Sequence, residues 1–417
     1  MDFRRADDKD VPTISSLNCF ADDTSMYNSG HTAEEVASTT NADLCLVSDW
    51  FSDWGLELHP DKCKVMCIKA YQSKVQLPPI YLAGQILEQV TSYTHLGVTM
   101  HYTLRWKEHA ETVSSKSKKV LGLLSKLQRK LSREALELAY NTLVRTKLEY
   151  ASILFSNISV TASKTMERVQ YHAGRLVSGA MARTPHDKLL EELEWDSLAT
   201  RRDYNRLLTM QKLVTGSVPA HLQPLVPTTR ESRRRLHLRL RNDTHLQVPY
   251  CRTTTYKNSF VPYSTRLWNS LPMEVKEATS YNQFKKKCRD HILSSRQHQK
   301  FRRLGNRQSN ILTTRLRLGW CQLNSTLAKF NITTRSCACG ATSETVAHFL
   351  LHCPLHTAAR QTLASSVLQL VGQSLSTGVL LNGSPGQNSA TNQKLSDALH
   401  SFLTSTNRFT APSICSS

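Results

Sequence analysis

Apolar positions change their period along the chain. In the first hundred residues they come as short extended runs. Leu17 to Phe20 and Thr24 to Tyr27 flank the turn Ala21-Asp22-Asp23, which predicts a pair of strands. Thr32-Ala-Glu-Glu35 reads as a capping box opening a helix that runs to about Trp54. Val36, Val47, Trp50, Phe51 and Trp54 would share one face of it, and Gly55 would close it. LELHPDKCKVMCI follows as two strand-like runs joined at His59-Pro60-Asp61-Lys62. IYLAGQILEQ predicts a hairpin turning at Ala83-Gly84, and SYTHLGVTM another extended piece.

From Trp106 to about Gly216 the pattern becomes helical. Val120, Leu124, Leu127 and Leu131 form an apolar stripe, interleaved with Lys116, Lys118, Lys119, Lys126, Arg129 and Lys130. A second helix from Arg133 to roughly Tyr150 is expected to bury Leu136, Tyr140, Leu143 and Val144. Further helices are expected at Ala162–Ser178, His186–Trp195 and Ser197–Val214. Pro219, Pro224 and Pro227 then mark a linker into RESRRRLHLRLR, which holds six arginines, Arg233, Arg234 and Arg235 among them, and one glutamate. KKKCRDHILSSRQHQKFRR adds eight Lys or Arg and one Asp. After Leu355 the chain turns rich in Ser, Thr, Asn and Gln, the composition of a polar, poorly ordered tail.

Charge sharpens this division. The chain of 417 residues carries +20. Met1 to Ile68 holds 13 acidic and five basic residues, a local −8, so the remainder carries +28. An acidic start ahead of a long basic body suits a cation-dependent site feeding a polyanion cradle, although a solvated basic surface has the same composition. The 11 cysteines are odd in number and scattered, which argues against a secreted disulfide framework. The start MDFRRADDKD has no apolar core of a signal peptide, and no run approaches the roughly 20 apolar residues of a membrane span.

Two clusters could carry chemistry. Asp22-Asp23 suits either an ordinary turn or Mg²⁺, which takes hard oxygen ligands from one or two carboxylates plus substrate phosphates. CACGATSETVAHFLLHCP spaces Cys337, Cys339, His348 and Cys353 as three thiolates and one imidazole, the donor set of a closed Zn²⁺ site. Gly340 permits the turn after the first two sulfurs, and Glu344 to Leu351 predicts a short helix carrying His348. His352 and His356 compete for the fourth position. No P-loop, dinucleotide-binding, H-E-x-x-H or G-x-S-x-G pattern occurs.

Taken in order, FADDT, the helix, LELHPDKCKVM, the Ala83-Gly84 hairpin, YTHLGV and the basic helices resemble the C-terminal half of the reverse transcriptase of non-LTR, LINE-type retrotransposons. The likeness runs from about Asn18 to Pro354. It implies an α+β fold: a partial palm of short antiparallel strands plus a helix (1–105), a helical thumb (106–216), a basic Arg/Lys-rich linker (217–310) and a CCHC zinc knuckle (311–360), with the polar tail after it (361–417). By resemblance Asp22 is a magnesium ligand and Asp23 supports it, Lys62 assists near the incoming nucleotide, and Leu96 and Gly97 lie at the primer grip. The same likeness implies two-metal phosphoryl transfer onto a primer 3′-hydroxyl, an RNA template, a DNA primer or target and dNTPs, and a ribonucleoprotein of nucleus and cytoplasm with no membrane association. Lys116, Lys118, Lys119, Lys126, Arg129, Lys130, Arg233, Arg234 and Arg235 would contact the nucleic-acid backbone. The family's fingers and upstream catalytic aspartate have no counterpart ahead of Asp22, so the isolated chain is expected not to polymerise. The alternative is a non-catalytic nucleic-acid-binding protein using the thumb, the arginine-rich linker and the knuckle.

Overall fold

The computed structural model describes residues 13–21, 23–69, 74–155, 158–227, 245–293 and 306–409. The fold is α+β, with many helices and a few short strands. It divides into two compact units, Met1–Ala110 with Asn157–Ala162, and Glu111–Ser156 with Ser163–Ser417.

The first unit opens with β1 (Ser16–Phe20) and β2 (Asp23–Tyr27), paired antiparallel with Phe20 opposite Asp23. Helix α1 (Ala33–Asp53) starts where the capping residues place it: the Thr32 hydroxyl accepts from the Glu35 amide at 3.1 Å. The Glu35 carboxylate reaches back one residue further than a capping box requires, to the His31 amide at 2.8 Å. Gly55, at φ +63, turns the chain away after it. Then come β3 (Lys64–Val65), β4 (Tyr81–Leu82), β5 (Gln85–Ile86), β6 (Glu88–Gln89), β7 (Ser92–His95) and β8 (Val98–His101). Among the described residues these strands make four separate two-stranded ladders, β1–β2, β4–β5 and β7–β8 antiparallel and β3–β6 parallel. Leu56 to Leu58, expected as a strand, has no ladder partner among them. SYTHLGVTM, expected as one extended piece, is itself a hairpin.

All three hairpins have two-residue loops. The positive φ at Ala21, at Ala83-Gly84 and at Leu96-Gly97 is what the right-handed strand twist demands of such loops. Ala37 on α1 packs with Ile80, Leu82 and Leu87 in a small core. Asn41 fixes that contact, donating to the Pro79 carbonyl at 3.1 Å and accepting from the Tyr81 amide at 2.8 Å. Trp54, expected on the buried face, is 54% exposed.

Helix α2 (Lys107–Leu127) follows, then α3 (Arg133–Ala139), a π-helical turn Tyr140–Arg145, α4 (Thr146–Glu149), α5 (Val160–Ser178), α6 (His186–Leu193) and α7 (Leu198–Val214). The expected stripe on α2 is rotated. Ala110, Ser114, Ser117, Leu121 and Leu124 are buried, whereas Leu127 is 44% exposed. Two small hydroxyl residues take core positions that an apolar count assigns elsewhere. On the next helix Leu136, Tyr140, Val144 and Leu148 are buried at steps of four, and Leu143 faces solvent. The wide π turn suits steps of four better than a regular helix does, because it adds a residue to the turn. Tyr140 stacks on Trp195 at 4.3 Å, and the Trp195 indole donates to Glu137 at 3.0 Å.

The region expected as a basic linker is in its described part a packed element. Helices α8 (Thr254–Lys257), α9 (Phe260–Asn269), α10 (Met273–Lys276) and α11 (Tyr281–Ile292) bury Trp268, Val275, Phe284 and Cys288 with Tyr204, Leu207, Met210 and Leu213 of α7. The rest of the second unit comprises α12 (Arg307–Leu318), α13 (Asn324–Leu327), the cysteine segment, α14 (Thr357–Val371), α15 (Thr377–Asn382) and α16 (Ser389–Ser405). Here the expectation of a disordered tail gives way. Leu363, Val367, Leu380, Leu395, Leu399, Phe402 and Leu403 share one core with Leu316, Leu323, Phe349 and Leu350. A sparse apolar stripe at helical spacing is enough when a partner core exists to receive it. Among the described residues no helix is long and apolar enough to cross a membrane.

Candidate metal centre and basic surfaces

The cysteine segment begins as a tight turn. The Gly340 amide donates to the Cys337 carbonyl at 3.0 Å, and the Cys337 amide to the Ala341 carbonyl at 2.9 Å. Gly340 sits at φ +92, where a side chain would strain the backbone. The turn brings Cys337 and Cys339 to the same side. Of the other two donors, His348 opens a π-helical turn, His348–His352, in place of the expected regular helix, and Cys353 follows directly after it. The Cys353 amide closes it onto the His348 carbonyl at 2.7 Å.

The four ligand atoms all lie within 4.8 Å of one another. The sulfurs of Cys337 and Cys353 are 3.7 Å apart, and the Cys339 sulfur is 3.3 Å from His348 Nε2. Two thiolates each about 2.3 Å from one tetrahedral zinc would be about 3.8 Å apart, so the spacing fits the ion. Three sulfurs and one imidazole suit a soft or borderline divalent metal such as zinc. Burial pushes the Cys337 thiol up to about 11, and the Ala341 amide holds Cys339 below the usual thiol range. Of the competing histidines, His352 is exposed, while His356 packs edge-on against Phe349 at 5.2 Å.

Glu344 anchors this centre to the chain end. Both of its carboxylate oxygens accept from Arg408 at 2.7 Å, and one also accepts from the Asn324 amide at 2.7 Å. Burial alone would raise its pKa, but Arg408 and the Asn324 amide outweigh that and hold it low. Sequence reasoning missed Arg408, 64 residues downstream of Glu344. The signal that could have found its helix is the Leu395-Leu399-Phe402-Leu403 stripe.

A second missed feature is a buried ionic group. Glu192 on α6 accepts from Arg317 of α12 through both oxygens, at 3.0 and 2.8 Å, and from Arg133 of α3 at 3.2 Å. Arg133 also donates to the Glu192 carbonyl, and Arg317 to the Leu381 carbonyl at 2.8 Å. One carboxylate thus ties three helices together, and Arg317 adds α15.

The other predicted positions are dispersed. Asp22 lies outside the described residues, as do Arg233, Arg234 and Arg235. Asp23 is exposed at the start of β2, and Lys62 is exposed on the short turn Pro60–Lys62. Leu96 and Gly97 form the turn between β7 and β8. Among the described residues no group of acidic side chains converges around Asp23 as the sulfurs do at Cys337. Lys116, Lys118, Lys119 and Lys126 line the exposed side of α2, and Arg129 and Lys130 continue it beyond the helix end. Lys285, Lys286 and Arg289 make a comparable exposed face on α11. Compared with protein-family models and with curated proteins, the chain matches none.

Proposed function

We propose that the chain is a zinc-bearing nucleic-acid-binding protein, related to the downstream half of a LINE-type reverse transcriptase. The observation that carries the reading is the Cys337-Cys339-His348-Cys353 cluster at zinc spacing, set in a body whose long helices present lysines and arginines outward. A closed four-ligand site performs no chemistry on a substrate; it supplies folding energy to the segment that holds it. The exposed cations of α2 would neutralise phosphates, and the bound polymer would be RNA or DNA.

A second reading, polymerase activity, is favoured by one observation: the β1–β2 hairpin that presents Asp23 beside its left-handed Ala21. In that reading Asp22 and Asp23 would hold Mg²⁺, Lys62 would neutralise the incoming dNTP, and Leu96-Gly97 would lie at the primer end. Two metals would activate the attacking hydroxyl and stabilise the leaving pyrophosphate.

Purified chain tests both. Metal analysis is expected to give one zinc per chain, and a labelled oligonucleotide is expected to bind with strong salt dependence. Absence of zinc or of binding would remove the first reading. Primer extension abolished by Asp22→Ala would establish the second.

A further inference from the structure

An aromatic notch stands just ahead of the metal centre. Gly319, at φ +66, ends α12, and the Trp320 amide donates back to the Arg315 carbonyl at 3.2 Å, so the indole is fixed at the helix exit. Asn331, at φ +57, ends the short turn Ala328–Phe330 in the same way and fixes Phe330. The two half-buried rings are 5.7 Å apart and inclined at 56°, an open V rather than a closed stack. Each carries an exposed cation: Lys329 Nζ lies 4.9 Å from the Trp320 ring centre, and the Arg183 guanidinium 5.3 Å from that of Phe330. Arg183 is itself held at φ +62, a backbone conformation that costs energy at any residue but glycine. From the notch residues 331–336 run exposed to Cys337, with Arg335 among them.

Fixed aromatic rings flanked by cations are the elements of a single-strand stacking platform, because every base offers a π face and every nucleotide a phosphate. We infer that Trp320 and Phe330 take an unpaired nucleotide base, with Arg183, Lys329 and Arg335 on the adjoining phosphates. This rests on the nucleic-acid reading above and adds to it the single-stranded substrate class. The exposed Lys329 ammonium lies over the half-buried Trp320 ring. A base can replace its ammonium there while the ammonium moves to a phosphate, exchanging a weak exposed contact for two stronger ones. A duplex has its bases stacked internally and offers the notch nothing.

The test uses the full zinc-loaded chain with a labelled single strand and a duplex of equal length. Trp320→Ala is expected to weaken single-strand binding about tenfold and to leave duplex binding within about twofold. Trp320→Phe, which keeps a ring, is expected to retain most of the affinity. Arg183→Gln with Lys329→Gln is expected to flatten the single-strand salt slope by about 1.4, at about 0.7 per phosphate contact. Unchanged single-strand binding by Trp320→Ala, or equal losses on strand and duplex, would overturn the platform while leaving the general reading intact. A wild-type chain that binds neither polymer overturns both.

Discussion

Asp43 shows how one carboxylate can set the entry to a fold. It is buried on α1, and its two oxygens accept from the amides of Ile14 at 3.0 Å and Ser15 at 2.7 Å. Both amides precede β1, and that of buried Ser15 would otherwise lack a partner away from water, which is costly. Burial pushes the carboxyl up, but its contacts with Ser15 and Ile14 win and hold it below its ordinary value of 3.8. A carboxyl depressed on folding contributes stability that is complete above pH 3.8 and is lost as pH falls through the folded value. Asp43→Asn is therefore expected to cost about 2 kcal/mol near neutrality. Amide exchange at Ile14 and Ser15 would speed by about thirtyfold, with the gap to wild type closing on acidification. Exchange unchanged at pH 7 would show that the carboxylate does not hold this segment.

At the scale of elements the junctions carry the strictest demands. Gly179 leaves α5 at φ +71, and a methyl group there would stand 2.4 Å from Ile311 on α12. Its carbonyl also accepts from Arg315 at 2.8 Å. Gly179→Ala combines a strained backbone with a clash and is expected to cost roughly 3 kcal/mol, lowering Tm by about 5 °C. A calorimetric shift under about 2 °C would mean that Ile311 moves aside freely. Such junctions also explain what the sequence exposes and what it hides. Helix starts at Ala33, Arg133 and Leu198 are legible because Thr32, Ser132 and Ser197 cap them through local hydrogen bonds. The cysteine cluster is legible for the same reason: its donors span 17 residues and their spacing is chemical. Which face of α2 is buried was hidden because Ser114 and Ser117 do the work of apolar residues. The helices after Leu355 were hidden by a polar composition around a thin stripe. Glu344 with Arg408 and Glu192 with its arginines were hidden because nothing local marks a pairing across 59 to 125 residues.

Over the whole molecule, charge and ionic burial pull in different directions. The +28 beyond Ile68 is a long-range attraction whose strength the medium sets. Replacing Lys116, Lys118 and Lys119 together by Gln is expected to leave the fold unchanged, since all three are exposed. It should reduce the slope of log affinity for duplex against log salt by up to about 2.7, at about 0.9 per contact. A slope identical to wild type would place the polymer on another face. The Arg133–Glu192–Arg317 group obeys the opposite rule, being insulated from salt and intolerant of partial change. Deleting the glutamate strands two buried arginines, typically at 3 to 5 kcal/mol, and deleting either arginine leaves the carboxylate and a carbonyl short of donors, whereas exchanging all three for apolar residues of similar volume is often neutral. Along a lineage, then, these three positions form a ratchet. Each single step is barred while the concerted one is open, so they are expected to persist together or vanish together over intervals in which the surrounding surface is rewritten many times.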